Sequence, residues 1–205
     1  MVKNSLGRLL PETFNGRAVI PYRDPFSLRP ECERATRPLR RVNPSDRKLL
    51  TGLREAIEAS GLRDGMTIAT HHHLRNGDAL LGLVVREIDA LGIRDIRIAS
   101  SSVHPVHAEL IPYVEKGVIT AFECGVNGPI GEQVSRGELR CPIVVRTHGG
   151  RARSLITGEV PVDVAFIAAP ACDEYGNMNG TEGPSACGVS AMPTPTPCTP
   201  GPWWR

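Results

Sequence analysis

From Ser45 onward this chain alternates: short apolar runs of strand length take turns with longer runs of helical period. "SDRKLLTGLREAIEASG" predicts a helix with Ser45 as N-cap and Asp46 in the first turn. Leu49, Leu50, Leu53 and Ile57 share one face of it, and Gly61 suits its stop. A strand is expected at Met66–Ala69, a helix over "ALLGLVVREIDALG", and a strand at Ile96–Ala99. "PVHAELIPYVEKG" reads as a helix interrupted by Pro112. "VITAFEC" reads as a strand, "PIGEQVSRGEL" as a short helix and "PIVVRT" as a strand at Ile143–Val145. "VDVAFIAAP" is apolar enough for a strand buried on both faces. Such alternation predicts an α/β fold, a doubly wound, mostly parallel sheet with right-handed crossovers.

Ligands of such folds bind at the carboxyl ends of the strands. Each expected strand here runs into a polar loop: "THHHLRNGD", "SSSVHP", "ECGVNGP", "RTHGGR" and "APACDEYGNMNG". Glycine lets a backbone approach a ligand closely, and freed N–H groups can hold oxyanions. The loops together predict a binding crevice assembled from several strand ends.

The first loop holds three consecutive histidines, His71, His72 and His73. Consecutive residues on an extended chain point to alternating sides, and neither H-x-x-x-H nor a partnering cysteine pair accompanies them, so no metal is expected. Two readings stay open: polar residues lining a ligand pocket, or structural histidines bonded to neighbouring strands. Arg75 and His148 favour a pocket for a carboxylate-rich ligand. Glu123, Glu132, Asp173 and Glu174 lie in or near the loops, each a base or nucleophile by type and more ordinarily a cap or surface charge. "CDEYGN" makes Asp173 a turn former.

Composition excludes some function classes. The net charge of +2 provides no field for nucleic acid or a membrane surface, and no window approaches the length of an apolar membrane span. The amino terminus has no signal-peptide pattern, so the six scattered cysteines are expected as reduced thiols in cytoplasm. The basic run from Arg37 to Lys48 reads as a solvated approach to the helix or as a phosphate or partner contact. Residues 1–44 carry prolines at a density that blocks helix, which predicts an irregular leader.

"SGLRDGMTIATHHHLRNGD", "IASSSVHPVHAELI", "GPIGEQVSRGEL", "HGGR" and "DVAFIAAPACDEYGNMNGTEGPSACG" together resemble the alpha subunit of citrate lyase, in the family's order, from about Asp46 to Gly188. Asp173–Asn177 also resembles the D-x-x-G-N signature of coenzyme A transferases. The resemblance implies a CoA-transferase-like first domain over residues 45–188. It implies a cytoplasmic complex with a beta subunit and a gamma acyl carrier protein, and no cofactor bound directly, the CoA-like prosthetic group being the carrier's. The family's alpha subunit exchanges acetyl for citrate on that carrier's thioester, giving citryl carrier and acetate. The beta subunit then cleaves citryl carrier to oxaloacetate and acetyl carrier. Carried over by position, the citrate and thioester candidates are His71, His72, His73, Arg75, Asn76, Gly77, Asp78, Ser100, Ser101, Ser102, His148, Gly149, Gly150, Gly176 and Asn177. None of them is assigned as nucleophile or base; in related transferases the catalytic glutamate belongs to a second half. Two other readings stand beside this one: a transferase for another short acid or a sugar-phosphate-binding domain on the same fold, and a non-catalytic fragment.

Residues 189–205, "VSAMPTPTPCTPGPWWR", depart from everything before them. One reading is a Pro/Thr linker. The other is a frame shift, because restoring one base in the Gly188 codon permits a continuation resembling the family's. The expectation is a truncated chain with an out-of-frame tail.

Overall fold

A computed structural model describes residues 1–4, 7–14, 16–21, 46–71 and 77–186. The chain divides into two compact units, Met1–Arg34 and Ala35–Arg205.

The described part of the first unit is not irregular. Strand β1 (Val2–Lys3) pairs antiparallel with β2 (Leu9–Leu10), and β3 (Thr13–Phe14) with β4 (Arg17–Ala18). Prolines forbid helix but leave room for such two-residue ladders. Gly7, at φ 75°, supplies the left-handed residue of the first reversal, where its N–H donates to the Asn4 carbonyl at 3.0 Å.

The second unit is built on four parallel strands in the order β10–β5–β6–β8: β5 (Thr67–His71), β6 (Ile96–Ile98), β8 (Ile119–Phe122) and β10 (Val164–Ile167). The chain steps outward from β5 to β8 and then returns to the other side of β5. The loops after β6 and β10 therefore flank the loop after β5. Beyond the main sheet, β7 (Ser102–Val103) pairs parallel with β9 (Gly125–Val126), prolonging the neighbourhood of β6 and β8.

Side-chain alternation sorts the strands into two faces. Ile68, Ile96, Ile98, Phe122, Val164 and Phe166 enter the main core. There they meet α1 (Leu53–Ser60), α2 (Leu80–Ala90), a 3-10 helix (Pro105–Leu110), α3 (Ile111–Glu115) and α4 (Gly128–Arg136), through residues such as Ile57, Val84, Leu110, Val114 and Ile130. Ala69 and Ala99 point the other way, into a small cluster with Val160, Val162 and Leu155 of α5 (His148–Ile156). Helices thus cover both faces, which is the doubly wound arrangement expected. A register shift between Ile96 and Arg97 lets Ile119 and Phe122 of β8 both face the main core despite an odd spacing.

Several elements differ from the pattern-based expectation. Helix α1 starts at Leu53, not near Ser45, which itself lies outside the described residues. The Glu55 carboxylate accepts from the Thr51 N–H at 2.8 Å and its hydroxyl at 2.6 Å, and these bonds hold it below the usual carboxylate range. The residues before Thr51 are drawn elsewhere: the Lys48 N–H donates to the Glu174 carbonyl at 2.7 Å, its ammonium to the Tyr175 carbonyl at 2.6 Å, and Arg47 pairs with Glu174. Pro112 stands in the first turn of α3, where no N–H is needed, so it starts that helix instead of breaking one. The expected strand at Ile143–Val145 is reduced to a single bridge, Ile143 to Phe122. Strand β10 is an edge strand, and its Ala165 and Ile167 are only half-buried. The remaining ladders are β11 (Ala171–Cys172) against β12 (Met178–Asn179), a hairpin around the Asp173 turn.

Gly128 opens α4 at φ 63°, and a Cβ there would lie 2.8 Å from Pro105. Substitution Gly128→Ala is expected to destabilise the chain by about 2–4 kcal/mol, left-handed strain and overpacking combined. Urea unfolding of the two proteins measures it.

Candidate active site

A cleft of about 320 Å³ opens where the strands end. Its walls are His71 from β5, Ser101, Ser102 and His104 after β6, Glu123, Cys124 and Gly125 after β8, and Arg146, Thr147, His148 and Arg151 around the start of α5.

The three consecutive serines have three different surroundings. Ser100 is buried, its Oγ 2.6 Å from the Thr70 hydroxyl, bracing β5 against β6. Ser102 donates to the Gly125 carbonyl at 3.2 Å, bracing β7 against β9. Ser101 Oγ is buried in the cleft wall without a hydrogen-bond partner among the described residues.

Helix α5 was not expected, because "RTHGGR" reads as a loop. Two glycines and few apolar residues hide its period. Its one local signal is Thr147, whose Oγ1 accepts from the Gly150 N–H at 3.0 Å and caps the first turn. The first N–H groups of a helix have no partner inside it and carry the positive end of its dipole. His148 and Gly149 occupy those positions, and both are exposed. At Gly149 the space a Cβ would take is empty.

Two guanidinium groups converge on the same wall. Arg151 donates from Nη2 to the Ala99 carbonyl at 2.6 Å and from Nε to the Ser100 carbonyl at 3.1 Å. It pairs with no carboxylate among the described residues, and burial pulls its pKa below the usual guanidinium value, with Cys124 acting in the opposite sense. Arg146 Nη2 reaches Glu123 Oε2 at 3.4 Å and Glu159 Oε1 at 3.2 Å, and Glu159 also takes Arg153 at 2.7 Å. Neither arginine was a candidate from sequence, although both bracket "THGG". With His71, His104 and His148, the cleft carries an excess of donors and positive charge. It is shaped to hold carboxylates or another oxyanion.

The other candidates are spread more widely. His72, His73, Arg75 and Asn76 lie outside the described residues, and Gly77 is exposed where that loop returns. Asp78 is buried away from the cleft lining: its Oδ1 accepts from the Leu80 N–H at 2.9 Å, and its Oδ2 lies 3.0 Å from His107 Nε2. His107 Nδ1 accepts from the His104 N–H at 3.0 Å, which leaves the ring proton on Nε2 for Asp78. This clasp ties the return of the histidine loop to the serine loop. Gly176 borders a second, mostly apolar cavity of about 290 Å³, between Lys48–Ala56 and the β11–β12 hairpin. Asn177 closes the Asp173 turn. Its N–H and side-chain amide donate to Asp173 at 2.9 and 2.7 Å and hold that carboxyl below its ordinary range. Of the carboxylates considered, Glu123 alone lines the cleft. Glu132 is on α4 near Arg136, and Asp173 and Glu174 belong to the hairpin. No group of three His, Cys, Asp or Glu side chains among the described residues converges to hold a metal ion.

Cys124 is the one thiol in the wall. Burial pushes its pKa up to about 12, with Arg151 opposing and Glu123 adding to the rise. A thiol so protonated is a poor nucleophile at neutral pH. Brief alkylation of the native chain at pH 8 is expected to modify exposed Cys172 and spare Cys124, as read by peptide mass spectrometry. Equal labelling of both would contradict this burial.

Comparison with known proteins gives the family of the chain. Residues 46–193 match the family described as citrate lyase, alpha subunit. The citrate lyase alpha chain of Escherichia coli (strain K12) is 44% identical over 144 residues, covering 70% of this chain and 28% of that one. The Klebsiella pneumoniae chain is 43% identical over 143 residues, covering 69% and 28%. This chain therefore spans a little over a quarter of the length of these relatives. A solved structure of a citrate lyase alpha subunit from Streptococcus mutans, in complex with citrate, superposes with a TM-score of 0.78 at 38% identity, covering 97% of this chain and 39% of that one. On the family match across most of its length, together with the shared fold, this chain belongs to the citrate lyase alpha subunit family.

Proposed function

We propose that this chain supplies the citrate-recognising part of a citrate lyase alpha subunit, which exchanges acetyl for citrate on the thioester of an acyl carrier protein. The carrying observation is the charge of the strand-end cleft. Arg146, Arg151 and the amino terminus of α5 converge there, and half-buried Arg151 rests on carbonyls without a countercharge among the described residues. A partly desolvated cation held only by neutral dipoles favours an anionic ligand. That a relative was solved with citrate supports the choice of anion.

On this reading His71, Ser101, His104 and His148 add donors around the citrate carboxylates. Gly176, beside the apolar cavity, lies where the uncharged part of a carrier's CoA-like arm would rest. The partners are then the beta subunit and the gamma acyl carrier protein of a cytoplasmic complex. The resemblance puts the catalytic glutamate in the family's second half. Cys124, with its pKa raised to about 12, is no substitute nucleophile. The residues present are expected to bind citrate, and the exchange itself is expected to need the glutamate that the resemblance puts in that second half.

Calorimetric titration of the purified chain with citrate tests the binding. Arg146→Gln is expected to weaken it about 10-fold or more, the loss of charge-assisted bonds. Exposed His148→Ala, which removes no packing, is expected to weaken it by a smaller factor. No citrate binding, or binding unchanged in both variants, would refute the reading. Citrate-dependent exchange on carrier thioester by a polypeptide of residues 1–205 alone would refute the need for that second half.

A further inference from the structure

Three side-chain atoms among the described residues are closed off from water and have no hydrogen-bond partner: Ser101 Oγ, Glu123 Oε2 and Arg146 Nε. All three residues line the strand-end cleft. Buried polar atoms are nearly always paired, and here Ser101 Oγ and Arg146 Nε have no partner while Glu123 Oε2 has only its 3.4 Å ion pair with Arg146 Nη2, so the wall points to a ligand. Their chemistry is mixed. Arg146 Nε and Ser101 Oγ have hydrogens to give, whereas Glu123 Oε2 can only accept.

The acceptor is the informative one. A carboxylate in the wall of an anion site repels the ligand's own carboxylates. Arg146 only partly offsets this, because it is shared between Glu123 at 3.4 Å and Glu159 at 3.2 Å. The repulsion becomes attraction if the ligand carries a hydrogen to Glu123. An ionised simple carboxylic acid has none to give; a hydroxy acid has its O–H. Rotation about the terminal carboxylate bond exchanges Oε1 and Oε2, so either oxygen can meet that hydrogen.

We infer that Glu123 determines specificity for a hydroxycarboxylate by accepting the hydrogen bond of its hydroxyl group, while Arg146 Nε and Ser101 Oγ hold the neighbouring carboxylate. This rests on the citrate reading of the cleft, since citrate carries a hydroxyl and a carboxylate on its central carbon.

The test is calorimetry on the 205-residue chain with two ligands. One is citrate and the other propane-1,2,3-tricarboxylate, which is citrate with the hydroxyl replaced by hydrogen. The unmodified chain is expected to prefer citrate by about 10- to 100-fold, the range for a charge-assisted hydrogen bond lost with the acceptor left buried. In Glu123→Ala the preference should fall to within about 2-fold. The deoxy ligand should also bind at least as tightly as before, because the repelling carboxylate is gone, a change that a merely structural role for Glu123 would not produce. Glu123→Gln keeps a carbonyl acceptor and should keep part of the preference. Equal affinity for the two ligands in the unmodified chain, or full preference in Glu123→Ala, overturns the inference and leaves the citrate reading standing. Binding of neither ligand overturns both. If thermal melting shows that Glu123→Ala does not fold, the unmodified chain and Glu123→Gln decide: preference undiminished by the Gln substitution overturns the assignment of a charged acceptor, and a reduced one upholds it.

Discussion

Arg151 is the side chain on which the site's arrangement most depends. It leaves the first turn of α5, crosses to the end of β6, and takes the carbonyls of Ala99 and Ser100. Beneath it Ala69, Ala99 and Leu155 form a small cluster with Val160 and Val162, a thinner core than the one on the opposite face. Small residues on the strands bring α5 close, but apolar area alone would hold it weakly. The arginine adds charge-assisted bonds to that contact. It also fixes where the serine loop leaves the sheet, and it leaves a half-buried positive charge in the lining of the cleft. Position, loop geometry and sign of the field thus share one origin.

The topology distributes the remaining parts. Because the strand order folds back at β5, the loops after β5, β6 and β8 and the start of α5 open at one edge. The buried Asp78–His107 pair then ties the return of the histidine loop to the 3-10 helix that follows the serine loop. Each contact is local, and together they bring residues more than seventy positions apart in sequence, His71 and His148, into one wall.

The main strands could be read from sequence because each is a short, mostly apolar run that gives way to a polar loop, and β5, β6, β8 and β10 sit where those runs lie. The crevice at their ends follows from the same pattern. What escaped was decided by tertiary partners. The segment before Thr51 has helical spacing, but its backbone pairs with the Glu174 carbonyl. Helix α5 has a capping threonine and little apolar period. Arg146 and Arg151 are ordinary loop arginines until the fold surrounds them, whereas Asp78 has the sequence context of a cleft residue and packs against His107 instead. Among adjacent serines, pattern cannot tell which hydroxyl braces the sheet and which is left for a ligand.

Amide hydrogen exchange with and without citrate tests the central claim that the strand-end cleft is the citrate site. Added protection is expected at residues 99–104, 123–126 and 146–151, with little change in the 171–179 hairpin beside the apolar cavity. Protection confined to that hairpin, with the cleft segments unaffected while citrate is bound, would contradict it.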